Sequence, residues 1–249
     1  MPPTTRFVVE PRVRLDRGTS SSTDAVSRVA VFTEVTACII RRHCCEIGHE
    51  VRRRRLYAMK GTLAITGDAA ADELLNTDPL ALLLGMLLDQ QIPMEWAFIG
   101  PYRLRERLGS LDATEIAAMD PEAFIAVVKG PPALHRFPGS MGKRIQECCR
   151  HLVDHYDGDA ANIWADVKSG DELFTRLKAI PGYGVEKAKI FTALLAKRVG
   201  VAPRGWKAVA APFSDSTPRS VADIHDAASL AKVREWKKAM KAKGKSKTD

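Results

Sequence analysis

The chain has 249 residues, 45% of them apolar, which is enough for one large or two small domains with a real core. Its formal net charge of +8 favours an anionic partner such as nucleic acid. The most apolar stretch near the start, residues 29–40, is too short and too polar for a membrane helix and lies too deep for a signal peptide, so no membrane partner is expected.

Residues 1–58 differ in kind from the rest. They hold eleven arginines, no lysine and six acidic residues, with a Ser/Thr run at 19–23 and a bare arginine run at 52–55. This composition predicts a disordered arginine-rich extension, or an upstream stretch included by a wrong start-codon choice, with the folded protein beginning near Met59. The alternative is a basic arm that grips DNA backbone. From residue 59 onward the pattern is helix after helix, and no strand signal competes. Helices are predicted over residues 68–76, 79–89, 95–108, 113–118 and 121–129, the second nearly all apolar and therefore central. Two Gly/Pro clusters at 130–132 and 137–139 bracket a loop, and a helix follows over 143–156.

Ser169 and Glu172 have capping-box spacing and open a helix over about 171–179. Residues 177–191 then read LKAIPGYGVEKAKIF. Gly182 and Gly184 flank Tyr183 in a turn too tight for a Cβ at either end, and the helix that follows starts with bare backbone N–H groups. Such a start binds a phosphate. An ordinary αα-corner needs no ligand, but the second glycine, the residue between the two and the lysines after them favour the phosphate-binding form. The second helix of this helix-hairpin-helix runs to Gly200. Residues 200–219 are irregular, a last amphipathic helix covers 226–241, and the end is basic, able to add phosphate contacts.

On these residues the chain resembles the helix-hairpin-helix–GPD superfamily of DNA glycosylases, which includes endonuclease III, the adenine glycosylase and 3-methyladenine glycosylase II, over roughly residues 78–201. A second anchor is PLALLLGMLLDQQIPMEWAF at 79–98, similar to the family's buried helix with its glutamine-bearing end. A third is MGKRIQECCRHLVDHY at 141–156, similar to the helix that precedes the hairpin. The resemblance implies an all-α, two-lobed helical bundle over 59–201, with residues 202–249 forming a Gly/Pro loop, a helix and a basic tail. It implies a base excision repair glycosylase acting on double-stranded DNA with a damaged or mismatched base, as a monomer. Gly182, Tyr183, Gly184 and Lys187 are the implied DNA-backbone contacts, and Gln91 the residue that fills the gap left by an extruded base.

The chemistry departs from the family pattern. Members that cut the strand use a lysine as Schiff-base nucleophile, and the matching position here is Glu186. Lys187 is one residue off and turned by about 100°, so it is expected to point toward DNA backbone or solvent. Base removal without strand cleavage is therefore expected. The family's aspartate position falls in Pro203-Arg204-Gly205-Trp206, which holds no acid. Asp223, in an Asp-Ile-His run similar to the family's Asp-x-His, is the preferred catalytic residue, with Asp215 and Asp89 as substitutes and helix capping as Asp223's other reading. A non-catalytic DNA-binding module is the competing function.

Five cysteines with no CxxC pair argue against a disulfide framework and for a reducing cytoplasm. Relatives carry a four-cysteine iron–sulfur cluster after the catalytic region; no cysteine follows Cys149, so no cofactor is expected. His151 and His155 have i,i+4 spacing but no third ligand in view, and no metal is expected.

Overall fold

The computed structural model describes Met59 and residues 61–244. The chain divides into two units, Met1–Leu56 and Tyr57–Asp249, and all described residues belong to the second. The readings made for residues 1–58, including Cys38, Cys44 and Cys45, lie outside the described residues.

Acidic and hydroxyl side chains set the helix starts. Asp68, Asp78, Asp112, Asp120, Ser169 and Asp226 each accept hydrogen bonds from first-turn backbone N–H groups, which otherwise have no intrahelical partner. They open α1 (Ala69–Thr77), α2 (Pro79–Leu88), α4 (Ala113–Ala118), α5 (Pro121–Lys129), α7 (Gly170–Ala179) and α10 (Ala227–Ala242). The remaining helices are α3 (Met94–Leu108), α6 (Pro138–Tyr156), α8 (Val185–Leu194), which continues through a π turn over Leu195–Val199, and the short α9 (Trp206–Val209). Two 3₁₀ turns, Ala160–Ile163 and Val221–Asp223, complete the set. Among the described residues there is no β-strand, and the only bridge joins Ser169 to Arg204.

Most boundaries fall within a residue or two of expectation. One exception is the short α9, which forms inside the stretch 200–219 expected to be irregular, and the other is α6, which begins at Pro138 rather than near residue 143. Proline at the first helical position lacks an N–H that would have no partner there and has φ already set, so the Pro138-Gly139 pair opens the helix instead of preceding it. Glu172 also differs in detail. Ser169 caps α7 as expected, but the Glu172 carboxylate accepts from Lys168 N–H and pairs with Arg176.

α2 is the core. Every residue from Leu80 to Leu88 is buried, and the helix packs on α1, α3 and α6. Gly85 lets α3 close on it, since a Cβ there would lie 2.8 Å from the Phe98 ring. Among the other helices, α3 to α6 pack on one another, and α7, α8, α9, Val221–Asp223 and α10 pack together. Residues beyond 201 are part of this packing, because Phe213, Val221, Ile224 and Val233 are buried in the core. No helix among the described residues is long and apolar enough to cross a membrane.

Candidate nucleic-acid interface

The hairpin between α7 and α8 is built on one obligatory glycine and one free one. Gly182 has φ +86°, the left-handed region, and a Cβ on it would lie 2.5 Å from Leu87 Cδ1. Tyr183 closes the turn by donating its N–H to Ile180 O at 3.0 Å. Its ring is buried edge-on against Phe191, and its hydroxyl donates to Leu83 O at 2.7 Å. Tyr183 thus enters the hairpin as core rather than as a side chain offered to a ligand. Gly184 is different. Its φ is −81°, it is exposed, and nothing lies within 4 Å of an added Cβ. The fold has no use for the missing side chain there, whereas a second backbone approaching from outside would. Gly184 starts α8 without a side-chain cap, and Val185 beside it is half exposed.

The far side of the hairpin rests on the end of α2. Lys187 Nζ donates to Met86 O at 2.7 Å and to Leu87 O at 2.9 Å. This corrects the expectation that it points toward DNA backbone or solvent. The last carbonyls of a helix lack intrahelical partners and carry partial negative charge, so an ammonium within reach is held there. Glu186, by contrast, is exposed in the first turn of α8.

Beyond α2 the chain turns through Asp89-Gln90-Gln91, and the two glutamines have different tasks. Gln90 is tied down: its side chain bonds Leu87 O and receives Arg144, and its carbonyl meets His135 Nε2 at 2.8 Å. His135 Nδ1 accepts the Phe137 N–H, so Nε2 is the protonated nitrogen, and burial holds the imidazole pKa below its ordinary value. Gln91 is exposed and sits at φ 55°, a left-handed conformation uncommon for glutamine. It lines a cleft of about 430 Å³ with Asp89, Met94, Glu95, Arg234 and Lys237. The structure therefore brings the Gln91 turn, Asp89, Gly184 and Glu186 to one end of α8.

It does not bring Asp223 there. Asp223 Oδ1 accepts from Lys197 Nζ at 2.7 Å, and Oδ2 accepts from Arg219 N–H and Ser220 N–H in a reciprocal capping box. Lys197 is eleven residues after Glu186 in a continuous helical run, roughly 16 Å along the axis. Asp223 thus caps a 3₁₀ turn at the opposite end of α8, and the last helix is capped by Asp226 instead. Asp215 shares the cleft of about 570 Å³ that Asp223 lines and is paired with Arg219. Arg204 is exposed, its carbonyl accepting from Gly170 N–H. Of the three carboxylates considered from sequence, only Asp89 lies at the hairpin end.

Among the described residues no group of three His, Cys, Asp or Glu is arranged to hold a metal ion. His151 and His155 lie with ring centroids 4.5 Å apart and planes tilted by 57°. Cys148 and Cys149 are free and buried, and burial pushes the Cys148 thiol up to about 12.

A family model of HhH-GPD superfamily base excision DNA repair proteins matches residues 84–248, from the middle of α2 to the basic end. The chain belongs to this superfamily. No curated protein matches it. One similar solved structure is a trapped endonuclease III–DNA covalent intermediate, the estranged-adenine complex, at 22% identity and a TM-score of 0.35. That match covers 47% of this chain and 48% of the other, so the HhH-GPD chain spans about half the length of that structure.

Sequence reasoning missed one residue at this end of the HhH-GPD protein. Phe137 is 45% exposed although large and apolar, with the Arg136 guanidinium 4.7 Å from its ring centroid. Its N–H bonds His135, which in turn holds Gln90, so it belongs to the same constellation as the Gln91 turn. The signal was present as an aromatic beside an arginine, but the adjoining Pro-Gly drew it into a loop.

Proposed function

We propose that this protein is a DNA glycosylase that removes a damaged or mismatched base from duplex DNA without cutting the strand. The hairpin end of α8 holds the backbone, and Gln91 fills the space the extruded nucleotide leaves. Water replaces the base at the sugar C1′: the base leaves with the bonding electron pair, and the one proton the water loses passes by way of the carboxylate to the departed base. A carboxylate at this end, Asp89 or Glu186, stabilises the cationic sugar and takes the water's proton.

The observation that carries the absence of strand cleavage is the pair of residues after the hairpin. Glu186 stands at the nucleophilic lysine's position, and the neighbouring amine, Lys187, is engaged with the carbonyls of Met86 and Leu87. A cytoplasmic monomer without an iron–sulfur cluster belongs to the same reading. A second reading, a non-catalytic DNA-binding module, is favoured by Arg204 at the family's acid position and by the placement of Asp223.

Base release is to be measured on alkylated, deaminated and oxidised duplexes, with borohydride present to trap any Schiff base. The expected result is an intact abasic strand, no trapped adduct, and a loss of about 100-fold or more in either Asp89→Asn or Glu186→Gln. A trapped adduct contradicts the proposal. Duplex binding with no release on any substrate establishes the second reading.

A further inference from the structure

A second basic element stands beside the Gln91 turn. Residues 227–244 hold six lysines or arginines against Glu235 alone. All but the last of these lie in α10, whose position is fixed by contacts rather than by charge. Val233 is buried, Arg234 Nε donates to Glu95 at 2.7 Å, and Lys237 Nζ lies 2.8 Å from Met94 Sδ. Arg234 and Lys237 line the cleft that also holds Gln91. The start of the helix lies elsewhere, for His225, Ser229 and Lys232 line the cleft of Asp223.

The helix therefore runs from the remote end of α8 toward the Gln91 turn. Lys238 and Lys241, both exposed, follow the two anchoring residues. Arg234, Lys238 and Lys241 share one face by i, i+4, i+7 spacing. From Arg234 to Lys241 is roughly 10 Å along the axis, about three base pairs of duplex at about 3.4 Å each.

We propose that α10 is a second DNA-binding arm, with Lys238 and Lys241 neutralising phosphates within about three base pairs of the nucleotide at Gln91. This rests on the reading that duplex DNA lies against the hairpin and Gln91. It adds to that reading a contact surface that carries affinity but no sequence preference.

The test is the slope of log affinity against log salt for a duplex with a central abasic-site analogue. Lys238→Ala and Lys241→Ala are each expected to lower the magnitude of the slope by about 0.9, and the double variant by about 1.8. Lys232→Ala removes the same charge from the same helix six residues before Lys238, on the side of the Asp223 cleft, and is expected to leave the slope unchanged. Lys238→Arg/Lys241→Arg keeps the wild-type slope. Equal effects of Lys232→Ala and Lys241→Ala, or no effect of either, overturn the arm.

Gly184→Leu separates the two claims. If it weakens binding while the lysine variants do not, the arm is wrong and the hairpin reading stands. If the lysine variants change the slope and Gly184→Leu has no effect, the arm stands and the hairpin reading fails.

Discussion

Gly182→Ala is expected to destabilise the protein and Gly184→Ala to leave its stability unchanged, although the two glycines are separated by one residue. At Gly182 an alanine must adopt a left-handed conformation, which costs about 1–2 kcal/mol, and its Cβ must displace Leu87 Cδ1 from 2.5 Å. Overpacking of a core side chain adds about 1–3 kcal/mol. For a folded unit of this size about 1 kcal/mol moves the thermal midpoint by about 2–4 °C, so a drop of roughly 5–15 °C is expected. At Gly184 the φ of −81° suits any residue and the space is open. The larger Gly184→Leu is expected to keep the midpoint and weaken binding to all duplexes alike, since the lost contacts are main-chain N–H groups to phosphate. Calorimetry and duplex titration on the same preparations check both halves. Equal melting losses at the two positions would show that the fold uses both glycines.

Lys197→Met is expected to produce a loss of similar size at the other end of α8. Lys197 and Asp223 form an ion pair whose side chains are only 13% and 9% exposed. Removing one member of a buried pair leaves the other charged and unpaired, which costs about 3–5 kcal/mol. The Asp223 carboxylate keeps its bonds from Arg219 and Ser220 N–H in that variant, which places the expected loss near about 3 kcal/mol. Asp223→Asn weakens both the pair and the capping box and is expected to lower the midpoint as well. Its base release per folded molecule should be unchanged. A fall of about 100-fold in release by fully folded Asp223→Asn would restore Asp223 to the chemistry.

These two cases show where the sequence was readable. The start of α7 was legible because capping is local: Ser169 acts within three residues of itself. The Gly182 turn was legible for the same reason. Asp223 was not, because its partner Lys197 is twenty-six residues away and the Asp-x-His spacing carries no information about which end of a helix it will meet. Lys187 misled in a similar way. Helical phase correctly turned it away from the position of Glu186, but only the fold reveals that the open end of α2 lies in that direction. Phe137 and α10 are placed near the Gln91 turn by contacts between residues distant in the chain, His135 to Gln90 and Arg234 to Glu95.

Duplex DNA is expected to engage the hairpin end of α8 and not its opposite end. Backbone amide shifts of isotope-labelled protein, followed as a duplex with an abasic-site analogue is added, test it residue by residue. The amides of Gln91, Gly184, Val185 and Glu186 are expected to move most, while those of Lys197, Ser220 and Asp223 stay in place. Large shifts at Lys197 and Asp223 with none at Gly184 would contradict the account and place the DNA in the cleft around Asp223.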